Sequence, residues 1–219
     1  MDLVDIITRI AIGLPGFLAA IACHEAAHAY VATKFGDETA LRQGRLTLNP
    51  AAHYDPIGTV IFPLFGAIIG GVMFGWARPV PVNAARFKNV RSGIFWVSFA
   101  GPLANVLIAI LSAFFLALFV TQIPSSFMFH SEFVQMFRAA ILINIVIAIF
   151  NLIPFPPLDG AKMISTFMDY EMARKYEELG RYSFVFILVL WFTPFFSYFL
   201  RPALYAGNHM MNIFINILA

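Results

Sequence analysis

The sequence predicts an all-α polytopic membrane protein, with about four to five transmembrane helices, a re-entrant hydrophobic segment and a short β-strand region. Two observations predict this class. The 219 residues are 60% hydrophobic and only 12% charged, a composition that a water-soluble core cannot hide. The apolar residues also form runs of the length that crosses a bilayer, about 20 residues. Because no polar stretch is long enough for a soluble domain, we expect residues 1–219 to form one membrane-embedded domain.

Apolar stretches supply the candidate membrane helices. They are residues 6–35, 57–77, 93–121, 139–158 and 182–200, followed by a weaker stretch at 203–219. We expect the first to be retained as a helix, since acids precede the first base, the reverse of a signal peptide.

Two polar segments lie between these apolar stretches. Residues 39–48 alternate around Leu46 and Leu48, which predicts a short strand before a proline-marked turn. Residues 160–181 are polar enough to predict an amphipathic surface helix. Neither segment is long enough to fold by itself.

One motif in the first apolar stretch carries chemistry: His24-Glu25-Ala26-Ala27-His28. On a helix, residues four apart share a face, so both imidazoles can bind one metal ion while Glu25 projects beside it. A zinc hydrolase needs this arrangement, together with a third protein ligand, an open position for water and a carboxylate that accepts the water's proton. The alternative is that these polar groups form hydrogen bonds with neighbouring helices. Burying such a group in an apolar span costs free energy unless it has a partner or a functional role.

The candidate third ligand is Asp159, which ends an apolar stretch. The three prolines just before it unwind a helix and expose irregular backbone. An acid in that place can also cap a helix at the membrane surface. Because the histidine motif is present elsewhere in the chain, the interpretation of Asp159 as a metal ligand is favoured over that of a helix cap.

Other polar residues have weaker claims. His53 lies in a loop that is predicted to be on the same side as the metal. It is either a plain surface residue or a contact to the metal or the substrate. Asn144 and Asn151 are two helical turns apart and share a face, where they either join helices or support catalysis. Asn105 is expected to make a polar contact between helices. The single cysteine, Cys23, is expected to pack in the helix.

Three motifs in series resemble one known family, the site-2 proteases, which are zinc intramembrane metalloproteases. The motifs are His24-Glu25-Ala26-Ala27-His28, Gly101-Pro102-Leu103-Ala104-Asn105 and Asn151-Leu152-Ile153-Pro154-Phe155-Pro156-Pro157-Leu158-Asp159-Gly160. The resemblance implies one Zn²⁺ ion bound by His24, His28 and Asp159. It also implies Glu25 as the catalytic base and Asn151 as a polar group near the reacting carbonyl. Unlike many relatives, these 219 residues are expected to include neither a soluble peptide-binding domain nor a nucleotide-sensing domain.

The topology depends on the stretch from 57 to 77. If this stretch crossed the membrane, His28 and Asp159 would lie at opposite faces and could not share a metal ion. Its glycines and Pro63 divide it into short pieces that suit a re-entrant hairpin. With re-entry, eleven of the fourteen Lys and Arg residues lie on the metal's face, against nine with a crossing. The positive-inside rule therefore predicts an active site near the cytoplasmic face and an external N-terminus.

The function predicted from the sequence is zinc-dependent hydrolysis of peptide bonds in or near transmembrane segments of membrane proteins. Its partners are transmembrane protein substrates and the lipid bilayer, and the predicted strand would pair with an extended substrate. The alternative is a metal-ion transporter or metal-binding membrane protein without hydrolysis. Glu25 favours hydrolysis, because a transport site needs no non-ligand carboxylate beside its first ligand. The scattered net charge of +2 argues against nucleic acid as a partner.

Overall fold

Helices form the regular secondary structure of this computed structural model, which describes residues 2–69, 73, 75–192 and 195–218. The α-helices are α1 (Leu3–Lys34), α2 (Thr39–Arg42), α3 (Phe62–Ile69), α4 (Val90–Gln122), α5 (His130–Asn151), α6 (Asp159–Ser165), α7 (Tyr170–Glu177), α8 (Ser183–Phe192) and α9 (Phe195–Leu218). Short 3₁₀ turns lie at Pro50–His53, Ala84–Arg86 and Glu178–Tyr182, and a π-helical turn lies at Pro56–Ile61.

Three of these helices, α1, α4 and α5, are long and apolar enough to cross a membrane. They confirm the helical class of fold, whereas the larger predicted number of spans is not confirmed among the described residues. The predicted stretch 182–200 is divided between α8, which ends at Phe192, and α9, which begins at Phe195; residues 193 and 194 lie outside the described part. The weaker stretch after it belongs to α9, which packs on α4 and α5 through Ala206, Met210 and Phe214.

Small residues bring the three long helices together. Ala109, Ala113 and Ala117 on α4 are fully buried and follow one another turn by turn. In a bilayer, helices gain most from close packing of small residues, because lipid tails solvate large apolar side chains equally well. Gly16 has this role on α1, since a Cβ there would lie 2.8 Å from the Cα of Ala140 on α5. The polar residues of these helices are therefore held within a compact three-helix bundle.

The two ends of the apolar segment 57–77 meet. The Trp76 N–H donates to the carbonyl of Gly58 at 3.1 Å, and the rings of Trp76 and Phe62 lie 4.7 Å apart. Residues 70–72 and 74 of this segment lie outside the described part of the chain. The segment thus leaves and returns at one place on the molecule, as a hairpin does. Its re-entry with respect to the bilayer stays a prediction.

The strand expected within residues 39–48 is wrong, because the described residues there form helix α2 followed by bends. Asp37 lies just before α2 and accepts the backbone N–H of Thr39, the first residue of that helix, at 3.0 Å. Gly44 follows the helix with a φ of 68°, the left-handed conformation that ends helices. Leu48 is 66% exposed, so the alternation does not mark the buried face of a sheet.

The single surface helix expected over residues 160–181 is two short helices, α6 and α7, and a 3₁₀ turn. The break lies just before Asp169, whose carboxylate accepts the Met172 N–H at 2.8 Å and so begins α7 as a new helix. Most side chains of α7 are exposed, as expected of a surface segment.

Candidate metal centre

Three buried side chains converge at one point of the bundle. His24 and His28 come from consecutive turns of α1, and Asp159 is the first residue of α6. Their candidate ligand atoms lie within 4.8 Å of one another, the one such group found in the part of the chain that the structure describes. The Asp159 Oδ2 atom lies 3.1 Å from the Nε2 of His24 and 3.2 Å from the Nε2 of His28. The three predicted ligands are therefore together.

Hydrogen bonds orient both imidazoles toward this point. His24 Nδ1 lies 2.6 Å from Oδ1 of Asn105, and His28 Nδ1 lies 2.6 Å from the carbonyl oxygen of Val97. Because both partners are acceptors, each Nδ1 carries a proton, which leaves each Nε2, facing Asp159 Oδ2, as the nitrogen that can bind a metal ion. Metal-binding histidines are held in this manner, and two imidazoles with one carboxylate form a donor set that suits zinc.

Gly101 on α4 leaves the space in front of the two imidazoles free. A Cβ at this position would lie 2.5 Å from His28 Nε2 and 2.6 Å from His24 Nε2. Any larger residue would enter the space that a metal ion needs. Sequence reasoning used this glycine only as part of a motif, and its role depends on how closely α4 approaches α1.

Asp159 is placed by its neighbours in the chain. A Cβ at Gly160 would collide with the carbonyl of Leu152, so this glycine allows α6 to begin directly against the end of α5. The two carboxylate oxygens then have different surroundings. Oδ2 faces the imidazoles, whereas Oδ1 lies 3.3 Å from Nζ of Lys162, which is exposed. One oxygen is thus directed at the candidate metal position.

Glu25 lies beside the ligand group without joining it. Its buried carboxylate accepts the backbone N–H of Val80 at 2.7 Å through Oε2. Val80 belongs to residues 76–83, a proline-rich segment without regular structure that crosses the site and that we call the strap. A fixed N–H on one oxygen leaves the other oxygen of Glu25 available for proton transfer.

The strap is anchored by segments distant in sequence. The Arg78 N–H donates to the carbonyl of His53 at 2.9 Å, and the Arg45 guanidinium donates to the carbonyl of Arg78 at 2.6 Å. At the other end, the Asn83 N–H donates to Asp37 Oδ2 at 2.6 Å. The loop that follows α1 therefore holds the strap, and the strap holds the general-base candidate.

The carboxyl of Asp37 is kept ionised by its partners. Burial raises its pKa, but hydrogen bonds from Asn83 and Thr39, together with the charge of Arg86, outweigh burial and lower the pKa below its ordinary value. The side chain is fully buried, so these contacts replace water completely. Sequence reasoning missed Asp37; an aspartate that accepts the N–H two residues further on, as Asp37 does from Thr39, is typical of an Asx turn.

The remaining predicted residues lie in three different places. His53 is fully buried with Nε2 2.9 Å from the carbonyl of Thr47, so it belongs to the loop and lies outside the ligand group. Asn105 and Asn144 are fully buried behind His24, as polar support requires. Asn151 is half-buried, and its amide donates to the carbonyl of Ile147 within the same helix at 3.0 Å.

A cavity of about 720 Å³ opens beside the ligands. Its walls include Glu25, Asn151 and a set of apolar side chains, among them Ile21, Trp76, Val97, Phe150, Pro156 and Phe186. Apolar walls with a few polar groups at one point are typical of a binding site for a mostly apolar ligand.

The fold and the site define a helical membrane protein with the metal centre of a hydrolase. The family model described as peptidase family M50 matches residues 12–191, which include all three candidate ligands. The chain belongs to this family, and the resemblance to the site-2 proteases is confirmed.

Relatives of the chain carry names of the same kind. "Putative zinc metalloprotease YwhC" of Bacillus subtilis is 44% identical over 186 residues, covering 84% of this chain and 82% of the relative. "Putative zinc metalloprotease Rip2" of Mycolicibacterium smegmatis is 29% identical over 184 residues, covering 83% of this chain and 66% of the relative. Rip2 of Mycobacterium tuberculosis is 28% identical over 181 residues, with the same shares. No solved structure matches the chain.

Proposed function

We propose that the protein is a zinc-dependent intramembrane endopeptidase, which hydrolyses peptide bonds in or near the transmembrane segments of other membrane proteins. The observation that carries this proposal is Glu25, a buried carboxylate beside the ligand group but not part of it, on a helix long enough to span a membrane. A site that only binds or transports a metal has no use for such a carboxylate. Membership of peptidase family M50 and the zinc metalloprotease names of the relatives support it.

In this proposal His24, His28 and Asp159 bind one Zn²⁺ ion. Zinc supplies Lewis acidity, which makes water a stronger acid and polarises a carbonyl group. Glu25 accepts a proton from the attacking water, whose oxygen bonds to the carbonyl carbon of the substrate. Glu25 then delivers that proton to the leaving nitrogen as the carbon–nitrogen bond breaks.

Asn151 is proposed to donate from its amide to the carbonyl oxygen as negative charge develops there. Its bond to Ile147 is a local bond within one helix, which it can exchange for a substrate oxygen by turning the side chain. A substrate must be locally unwound to reach this group, because a helix hides its own carbonyls in hydrogen bonds. The apolar cavity suits such a segment, whereas residues 39–48, which form α2 and bends, offer no strand for it to pair with.

The proposed orientation has the active site near the cytoplasmic face and the N-terminus outside. The excess of Lys and Arg on the metal's side supports it. The meeting of the two ends of segment 57–77 is also consistent with it.

The test is a cleavage assay on the purified protein in detergent with several single-span membrane proteins as substrates. Cleavage products on a gel should appear with wild type, disappear with 1,10-phenanthroline and return when zinc is added in excess. Glu25→Gln is the matched control. Zinc-loaded wild type that cuts none of the substrates but moves zinc across proteoliposomes would favour the transporter.

A further inference from the structure

We infer that Asn144 and Asn105 are positioning residues that together select the tautomer of His24. The inference rests on the metal centre of the proposed function and extends it to Asn144. This residue does not contact His24 but hydrogen-bonds to Asn105, which does. The two amides form a chain from the backbone of α5, through α4, to the imidazole on α1.

The first step is the orientation of Asn105. Its Nδ2 atom lies 3.0 Å from the carbonyl oxygen of Ala20 on α1. A carbonyl oxygen only accepts hydrogen bonds, so the amide NH₂ must point there. The Oδ1 atom of Asn105 therefore faces His24 Nδ1 at 2.6 Å.

The second step is Asn144, whose orientation is determined in the same manner. Its Nδ2 atom donates to the carbonyl of Ala140 in its own helix at 2.8 Å. Its Oδ1 atom consequently accepts the second N–H of Asn105 at 2.9 Å. If the amide of Asn105 turned over, its oxygen would meet two acceptor oxygens at once, those of Ala20 and Asn144. Because both asparagines are fully buried, no water can replace the lost partners.

The consequence falls on the metal-binding atom. With Oδ1 of Asn105 as its partner, Nδ1 of His24 carries a proton, which leaves Nε2 as the nitrogen that can bind a metal. A ring with its only proton on Nε2 would instead donate to Oδ2 of Asp159, 3.1 Å away, and could not bind a metal through that atom. His28 needs no such relay, because its Nδ1 donates directly to the backbone carbonyl of Val97. His28 is thus a control within the same site.

The experiment measures the histidine tautomers by ¹⁵N NMR in the metal-free full chain in detergent micelles, labelled at histidine. Zinc affinity is measured in parallel by competition with a chelating indicator. Wild type should show His24 with a proton on Nδ1, although Oδ2 of Asp159 offers Nε2 a competing acceptor. Asn144→Leu, which is similar in volume but has no amide, should give mixed tautomers at His24, an unchanged His28 and zinc affinity about 10–100-fold weaker.

Asn144→Asp is the conservative variant, and it should restore the Nδ1–H form at His24 because a carboxylate still accepts from Asn105. Should Asn144→Leu fail to fold, Asn105→Asp provides the second test: its carboxylate only accepts, so His24 must keep the Nδ1–H form. A single Nδ1–H tautomer with wild-type zinc affinity in Asn144→Leu would overturn the inference. So would an Nε2–H form of His24 in Asn105→Asp. Neither measurement requires cleavage, so failure of the proposed function is detected separately, by absence of cleavage in the wild type.

Discussion

At the scale of single residues, the polar groups of the metal centre differ in what they contact, so their substitutions should differ in effect. His24, His28 and Asp159 face the candidate metal position, whereas Glu25 faces the strap and the cavity. Gly101 has no side chain and so leaves the space in front of the two imidazoles free. Metal content and cleavage can therefore be separated by variants at neighbouring positions.

Glu25→Gln should leave zinc bound and lower cleavage by about 10²–10⁴-fold, the usual contribution of a general base. The amide cannot accept a proton from water, but it contacts none of the ligand atoms. Zinc content by mass spectrometry and cleavage on a gel check both parts against wild type. Loss of zinc together with activity would show that Glu25 is a ligand instead.

Asp159→Asn should weaken zinc binding by more than the roughly 10–100-fold that changes outside the ligand set produce. The neutral amide is a poorer ligand for a dication than a carboxylate. Lys162→Met is the control, because Lys162 contacts only the oxygen of Asp159 that faces away from the imidazoles. Zinc affinity is measured by competition with a chelating indicator. Wild-type affinity in Asp159→Asn would assign the third ligand to another side chain.

Gly101→Ala should lose zinc although alanine favours helix by about 1 kcal/mol over glycine. The added methyl would lie 2.5 Å from His28 Nε2, in the space in front of both imidazoles. Gly180→Ala is the matched control, since the nearest heavy atom to its added carbon lies at 3.6 Å. Zinc retained after dialysis is the measurement, with circular dichroism to monitor helix content. Normal zinc retention in Gly101→Ala would contradict the close approach of α4.

At the scale of elements, the strap depends on the loop after α1, and Asp37 is the side chain that joins them. Asp37→Asn should destabilise the protein by about 1–3 kcal/mol near neutral pH. The reason is that the Asn83 N–H of the strap, which Asp37 Oδ2 now accepts, would face an amide NH₂. The native pKa of Asp37 is lowered, so its ionised form stabilises the fold fully above the ordinary pKa of 3.8. That stabilisation is lost as pH falls through the native pKa.

The measurement is thermal unfolding in detergent between pH 3 and pH 7. Wild type and Asp37→Asn should differ most near pH 7 and converge at the acidic end. Glu38→Gln is the control, because the exposed Glu38 pairs only with exposed Arg42 and should change little. A difference that does not depend on pH would show that the charge of Asp37 is not what holds the strap.

At the scale of the whole molecule, the candidate metal ligands of α1 and α6 lie together, and the segment between α1 and α4 returns to its starting point, where the Lys88 N–H donates to the carbonyl of Phe35. Single cysteines at Arg42 and Asn89, in a Cys23→Ala background, should therefore react with an impermeant thiol reagent from one side only. Both positions are exposed. Ser126→Cys, in the exposed turn between α4 and α5, should react from the other side.

Labelling is compared between intact cells and inverted vesicles. The proposed orientation predicts that Arg42→Cys and Asn89→Cys react in inverted vesicles and that Ser126→Cys reacts in intact cells. If Arg42→Cys and Asn89→Cys react from opposite sides, segment 57–77 crosses the bilayer and a shared metal at His28 and Asp159 is excluded.

The sequence by itself determined the helical membrane class and the three candidate ligands. Both follow from local rules: apolar runs identify membrane helices, and a spacing of four residues places His24 and His28 on one helix face. The chemistry of zinc then requires a third donor, and Asp159 follows the prolines that end a helix. The predicted strand at 39–48 was wrong because alternation over so few residues is a weak signal. The turn that Asp37 makes with Thr39 and the left-handed conformation of Gly44 enclose a short helix instead.

Only the tertiary structure decided which groups support the ligands. Three features join segments that are far apart in the chain. They are the close approach of Gly101 to both imidazoles, the link of Asn144 through Asn105 to His24, and the hydrogen bond from Val80 to Glu25. No local periodicity encodes such contacts, because they depend on how closely α1, α4 and α5 pack and where the strap lies. The candidate metal ligands could therefore be predicted from residue chemistry and spacing, whereas their orientation is a property of the packed bundle.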